Sequence, residues 1–371
     1  MLRSKIRRAV GQMIPKDAGI RNVLKSIDNG VQNTMHSLGE HLPILIRPQA
    51  EEIFISLTAH CNLRCIGCKY GRDFMPRSVL PWELCEPLLE DAADLGYTSI
   101  RLYGGEPLLH PDLDRIIATA TDLNLNPWVT TNGMLLEKKV AGMVDAGLKN
   151  ISLGFYGIGD EYNNYVQRAD RFDRFESAVA HVATHYREKV ELTLSWLLME
   201  PTCSLEALHG AWNFALKYEI PMFVNVVHYS LPYFAKGPED MRRCYDIDRD
   251  RIQEIVDEII DMKRDRPDLL MHTQPGIRAI QDSLLKREEM RVPCDRYNMI
   301  WVGPDGSVQL CYVTFPFGNL KDRRLKEMLF GPEHNEAARK CMTLDCPNCH
   351  CGYNARVEKH GPTRQKYAAM G

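Results

Sequence analysis

Six short β-rich runs alternate with six helical stretches between residues 51 and 263, and this alternation constrains the fold more than any other feature of the chain. The runs are 52–58 (EIFISLT), 98–103, 127–131, 150–155, 190–198 and 221–229. Helical patterning separates them near 81–95, 111–123, 136–146, 172–187, 204–218 and 246–263. Strand–helix pairs in series predict an α/β fold with a parallel sheet and helices outside it. Right-handed crossovers curl such a sheet into a partial (β/α)6 TIM-like barrel. Ligand sites in these folds lie at the C-terminal ends of the strands, which directs attention to the loops after Thr58, Tyr103, Thr131 and Phe155.

The cysteines supply the chemistry. The 371 residues include twelve, seven of them crowded into two places. Cys61, Cys65 and Cys68 share the loop after the first strand. Cys341, Cys346, Cys349 and Cys351 share a second loop. Disulfides suit small secreted domains, whereas this chain is large and shows no secretory pattern, so the clustered thiols read as metal ligands in a cytoplasmic protein. Cys85, Cys203 and Cys244 stand alone and read as structural thiols. A net charge of −3 gives no global attraction to nucleic acid. No apolar run reaches the length of a membrane span.

A four-iron cube held by three thiolates keeps one iron open to an outside ligand, as an open position separates catalytic from structural zinc. Cys61-x3-Cys65-x2-Cys68 fits that count. A zinc site would use paired Cys-x2-Cys units closed by two further ligands, and no second pair lies nearby, although His60 is adjacent.

Cys61-x3-Cys65-x2-Cys68 after strand one resembles the signature of the radical S-adenosylmethionine (SAM) superfamily, and further motifs follow in order. Gly104-Gly105-Glu106-Pro107 closes the second strand run; the resemblance implies contact with the SAM amino group. There the glycines allow close backbone approach and Glu106 offers an acceptor. Thr131-Asn132-Gly133 ends the third strand, and Arg168 falls where relatives place an arginine near the SAM carboxylate. Ser195, on the fifth strand, is a candidate for the ribose, although a lone serine on a strand is more often structural. The chain departs from the family pattern twice. Gly67 stands where relatives have an aromatic residue, and Gly154-Phe-Tyr-Gly157 replaces Ser-x-Asp-Gly.

Cys294-x11-Gly306-x4-Cys311, followed by Cys346-x2-Cys349, is similar to the C-terminal twitch extension, the shorter relative of SPASM. It implies one auxiliary [4Fe–4S] cluster on those four thiols, with Cys341 or Cys351 able to replace one. The same four residues also suit a structural zinc knot. A hairpin over 299–311, turning on Pro304-Asp305-Gly306, and its lead-in together carry two of the ligands, Cys294 and Cys311.

These readings divide the chain into an N-terminal helical extension (1–50), the barrel (51–263), a linking segment (264–293), the auxiliary domain (294–352) and a loosely held polar tail (353–371). Residues 1–25 hold seven Lys or Arg and one acid, with Leu2, Ile6, Ala9, Val10 and Met13 at helical spacing. Such a helix either packs on its own domain or lies peripherally on an anionic membrane. The resemblance implies reductive cleavage of SAM to a 5′-deoxyadenosyl radical, with flavodoxin or ferredoxin as a one-electron donor. The auxiliary cluster favours two-electron oxidation of a sugar, cyclitol or similar small molecule. Epimerisation, with Cys203, Cys244, Cys341 or Cys351 as hydrogen donor, and peptide maturation are the alternatives. A non-catalytic iron–sulfur electron carrier or sensor is the reading outside enzymes. No general base is assigned among Tyr156, Glu200, Arg101, Asn225 and His228.

Overall fold

The computed structural model describes residues 30–31, 34–228, 232–234, 245–312 and 314–370. Six parallel strands, β1 (Glu52–Thr58), β2 (Ser99–Gly104), β3 (Asn126–Thr131), β4 (Asn150–Phe155), β5 (Glu191–Leu198) and β6 (Met222–Val226), lie in sequence order across one sheet. Helices α1 (Trp82–Leu95), α2 (Leu113–Asp122), α3 (Leu136–Asp145), α4 (Asp160–Val166), α5 (Phe172–His185), α6 (Leu205–Tyr218) and α7 (Arg249–Asp265) follow the strands. The expected strands and most of the helices are present. The sheet is open and does not close on itself.

Period-two alternation divides each strand between two environments. Ile53, Ile55 and Leu57 enter the main core, whereas Phe54 packs with Met299, Trp301 and Cys311 on the opposite face. Leu192, Leu194, Trp196 and Leu198 are buried on one side of β5, and Thr193, Ser195 and Leu197 are half-buried on the other.

The C-terminal part extends the same sheet. β7 (Met299–Val302) pairs in parallel with β1, setting Trp301 opposite Phe54. β8 (Ser307–Gln309) and β9 (Pro316–Asn319) continue it antiparallel, giving the order β6-β5-β4-β3-β2-β1-β7-β8-β9. The expected hairpin is present, closed by the Gly303 amide on the Ser307 carbonyl at 2.8 Å, with Gly306 at φ 86°.

Two stretches differ from the reading above. The segment 264–293 contains α8 (Gln274–Lys286), capped by Thr273, whose hydroxyl accepts from the Gly276 amide. The tail is packed as well as polar. After α9 (Leu325–Met328) and α10 (Pro332–Met342), α11 (Tyr353–Lys359) and α12 (Gly361–Ala368) bury Tyr353, Arg356, Val357 and Tyr367. Their apolar content is low, and what holds them is a few large residues and ion pairs. The Tyr367 hydroxyl donates to Asp282 on α8 at 2.7 Å, for example. The basic stretch 1–25 and Cys244 lie outside the described residues.

Candidate functional site

The Cys61–Cys68 loop is held from several sides. The Arg64 and Ile66 amides bond the Val166 and Tyr165 carbonyls at the end of α4, at 3.2 and 2.9 Å. Arg72 donates to the Cys65 carbonyl at 2.7 Å and to that of Cys68. Amide groups point at sulfur: Leu63 N lies 3.5 Å and Asn132 Nδ2 3.8 Å from Cys61 Sγ. Burial pushes the Cys61 thiol up to about 12, so a bound cation must supply the field that removes its proton.

The three thiols, Gly104, Gly105 and Asn132 line one cavity of about 270 Å³ at the C-terminal ends of the strands. Tyr156 and Tyr165, stacked with ring centroids 4.1 Å apart, line it too. Phe234 explains the unusual Gly67. A Cβ at Gly67, where φ is 75°, would collide with the Phe234 ring. The aromatic surface that the loop lacks is therefore brought to it by the segment after β6.

The Gly-Gly-Glu-Pro motif serves the loop more directly than expected. The Gly105 amide bonds the Thr58 carbonyl at 2.7 Å, and the Glu106 amide bonds that of His60 at 2.8 Å. A Cβ on Gly105 would overlap the His60 carbonyl. Close approach here is between two parts of the protein. Glu106 is fully buried and does not line the cavity. Its Oε1 accepts from the Thr131 hydroxyl at 2.7 Å and the Leu108 amide at 3.0 Å, and its Oε2 from the Asn132 amide at 2.9 Å. It joins the second strand end to the third. Pro107 starts a 3-10 turn behind it.

Glu106 yields a stability prediction. Each of its oxygens accepts a backbone N–H, so Glu106→Gln sets an amide donor against a donor in either orientation. The expected cost is about 2 kcal/mol, read as a lower urea midpoint at unchanged slope. Burial raises the Glu106 carboxyl from its ordinary 4.5 to about 7. Its contribution is therefore fully present below 4.5 and is lost as pH rises through about 7. The Gln variant should lose that part of the pH dependence.

Other expected contacts are absent from this cavity. Arg168 does not line it, and its Nη1 donates to the Gln167 carbonyl at 3.2 Å. Gln167 turns the chain at φ 53° just before it. Ser195 accepts from Asn225 Nδ2 below the cavity. Arg101 lies between the Phe54 and Trp128 rings, and Glu200 pairs with Arg251 at 3.5 Å. His228 does line the cavity; its Nδ1 has no hydrogen-bond partner, and burial lowers its pKa to about 4.

A second chamber is lined by Cys294, Cys311, Cys346 and Cys349 together with Cys341 and Cys351. The Cys341 thiol donates to Cys294 and holds it below the ordinary thiol range. The Arg296 amide lies 3.4 Å from Cys294 Sγ. Arg356, only 1% exposed, reaches the chamber from α11. Its Nη2 donates to the Val292 carbonyl and to Asn348 Oδ1, while its buried Nε has no partner in the protein. An orphaned guanidinium donor among thiols fits an anionic cluster. Among the described residues, no three Cys, His, Asp or Glu side chains converge tightly enough for a single metal ion. Sequence spacing missed Arg356 and Arg72, because a lone arginine carries no motif.

An aromatic wall joins the two thiol groups. Tyr70, two residues after Cys68, packs on Tyr233 at 5.0 Å between centroids, and Tyr233 packs on Tyr312, next to Cys311, at 6.3 Å.

An open parallel sheet with three thiols at its strand ends and a second thiol chamber on an extended edge defines an iron–sulfur enzyme class that takes an exogenous ligand at one cluster. Residues 55–198 match the family described as the radical SAM superfamily, and residues 294–351 the SPASM family, an iron–sulfur cluster-binding domain. The two matches cover more than half of the chain, which belongs to the radical SAM superfamily and carries a SPASM-type domain; SAM and [4Fe–4S] clusters are its cofactors.

The chain is similar to a probable GTP 3′,8-cyclase of Methanothermobacter thermautotrophicus, 33% identical over 34% of this chain and 41% of that one. It is 27% identical to the GTP 3′,8-cyclase of Mycolicibacterium smegmatis over 58% of this chain and 59% of that one. It thus spans less than two thirds of the length of either relative. Its fold is similar to that of native anSMEcpe with bound AdoMet and a Cp18Cys peptide: TM-score 0.60, 16% identity, 86% of this chain and 99% of that one.

Proposed function

We propose that this chain removes two hydrogens from an uncharged polar substrate, with a sugar or cyclitol as the leading class. The carrying observation is that one aromatic wall runs from one thiol group to the other, so a substrate at the Tyr233 face has a redox site toward either end. In this reading Cys61, Cys65 and Cys68 hold the SAM-binding cluster, and four of the C-terminal six thiols hold the auxiliary one. When bound, the first cluster and SAM supply a 5′-deoxyadenosyl radical able to take a hydrogen atom. The protein contributes position and exclusion of water. Gly104, Gly105 and Asn132 shape the pocket against the loop, and Tyr156 and Tyr165 wall it off.

Charge narrows the substrate. Among the described residues lining the cavity there is no Lys, Arg, Asp or Glu. A peptide segment is the second reading, favoured by the peptide bound to anSMEcpe.

The test uses anaerobically reconstituted, reduced protein with SAM and panels of deuterated sugars, cyclitols and peptides. Deuterium should appear in 5′-deoxyadenosine, and the product should be two hydrogens lighter than the substrate. A product of the substrate's elemental composition carrying one hydrogen in place of the transferred deuterium would point to epimerisation. Absence of 5′-deoxyadenosine with every reductant and substrate would favour electron transfer or sensing.

A further inference from the structure

SAM carries a fixed positive charge on its sulfonium sulfur, and a site that prefers it to a neutral thioether must meet that charge. The cavity beside Cys61, Cys65 and Cys68 has no Asp or Glu among its described lining residues, and the Glu106 carboxylate is taken up by its own three donors. What the lining offers instead is the rings of Tyr70, Tyr103, Tyr156, Tyr165, Tyr233 and Phe234. The face of such a ring is negative at its centre and attracts a cation, the more strongly where water is excluded.

Tyr156 is the ring best placed for this. It follows β4 in the stretch Gly154-Phe-Tyr-Gly157, which replaces Ser-x-Asp-Gly, so a ring stands where relatives carry a carboxylate. Glycine at 154 makes room for it, because a Cβ there would collide with the Tyr156 hydroxyl. The charge of all three thiols reaches that hydroxyl, which places the ring beside the cysteine loop. Tyr165 stacks on one face of Tyr156 with the two planes 23° apart, while Tyr156 still lines the cavity. The Tyr165 carbonyl accepts the Ile66 amide at 2.9 Å, so the ring pair is fixed relative to the thiols. The other rings are engaged elsewhere: Tyr70, Tyr103 and Tyr233 pack into the aromatic wall, and Phe234 lies against Gly67.

We propose that Tyr156, backed by Tyr165, recognises the sulfonium charge of SAM through the face of its ring. A cluster held by thiolates attracts a cation as well, so preference for SAM has two sources, and a change at Tyr156 removes only the share of the ring. The inference rests on SAM as the cofactor and is independent of the substrate and the reaction.

The test is a ratio of two affinities. S-adenosylhomocysteine shares the purine, ribose and amino-acid ends of SAM and lacks the methyl group and the charge. Binding of each radiolabelled ligand is measured by anaerobic ultrafiltration on the full chain, reconstituted with its clusters and kept oxidised so that SAM is not cleaved. In Tyr156→Leu the preference for SAM over S-adenosylhomocysteine should fall at least about fivefold, and in Tyr156→Phe it should stay within about twofold of the wild type. Progressively fluorinated phenylalanines in place of Tyr156 keep the shape of the ring and drain its face of negative potential, a second readout that survives a folding failure of the leucine variant. SAM affinity should fall stepwise along that series while S-adenosylhomocysteine affinity holds. Equal loss of both ligands in Tyr156→Leu would make the ring a filler of space and overturn the proposal. So would an unchanged ratio, or a SAM affinity indifferent to fluorination.

Discussion

Replacing Cys61, Cys65 and Cys68 together with alanine is expected to abolish 5′-deoxyadenosine formation and to lower bound iron from about eight to about four per chain. The two thiol groups sit in separate loops at the two ends of the Tyr70–Tyr233–Tyr312 wall, so loss of one need not empty the other. The fold should survive. The loop is held by the backbone bonds of Arg64 and Ile66 and by Arg72, and none of these uses a thiol. Iron and labile sulfide measured on anaerobically reconstituted protein give the count. About four irons in the wild type and none in the variant would instead mean that the C-terminal chamber holds zinc or nothing. The proposed oxidation would then lose its second redox site, and redox-neutral chemistry would lead.

The second large effect is expected at Arg356. Arg356→Met should destabilise the chain by about 3–5 kcal/mol and empty the C-terminal chamber while the first cluster remains. The side chain is buried among Cys294, Cys349, Asp295 and Cys341; burial opposes its charge, and these groups more than offset that. It also ties α11 to the chamber rim through Val292 and Asn348. Methionine fills a similar volume but leaves the Val292 carbonyl and Asn348 without their donor. Urea unfolding gives the stability loss, and iron content with the spectrum of the reduced protein shows which cluster is gone. Unchanged iron at lower stability would reduce Arg356 to a structural brace.

The architecture was largely legible because strand and helix periodicities are local. The run EIFISLT shows its period-two pattern within seven residues, and it forms β1 with the same bounds. The cysteine spacing was legible for the same reason, since three thiols within eight residues must share a loop. The last helices were not legible. Their composition is polar, and what orders them is a buried arginine and a tyrosine bonded across to α8, contacts without a periodic signal.

The site divides along the same line. By itself, the sequence determined that three thiols follow the first strand, that Gly-Gly-Glu-Pro and Asn132 follow the next two, and that six further cysteines lie near the C-terminus. Only the tertiary structure decided what these groups meet. Glu106 braces the second strand end against the third because its buried carboxylate meets three hydrogen-bond donors from elsewhere in the chain. Phe234 came to lie over Gly67 because β6 delivers its following segment to the mouth of the first loop. Arg168 and Ser195 stayed out of the cavity for equally geometric reasons: a left-handed residue at Gln167 turns the first aside, and the depth of Ser195 on β5 lets Asn225 take it. Spacing along a chain specifies which groups travel together, but the approach of groups far apart in sequence is set by the packing of everything between them.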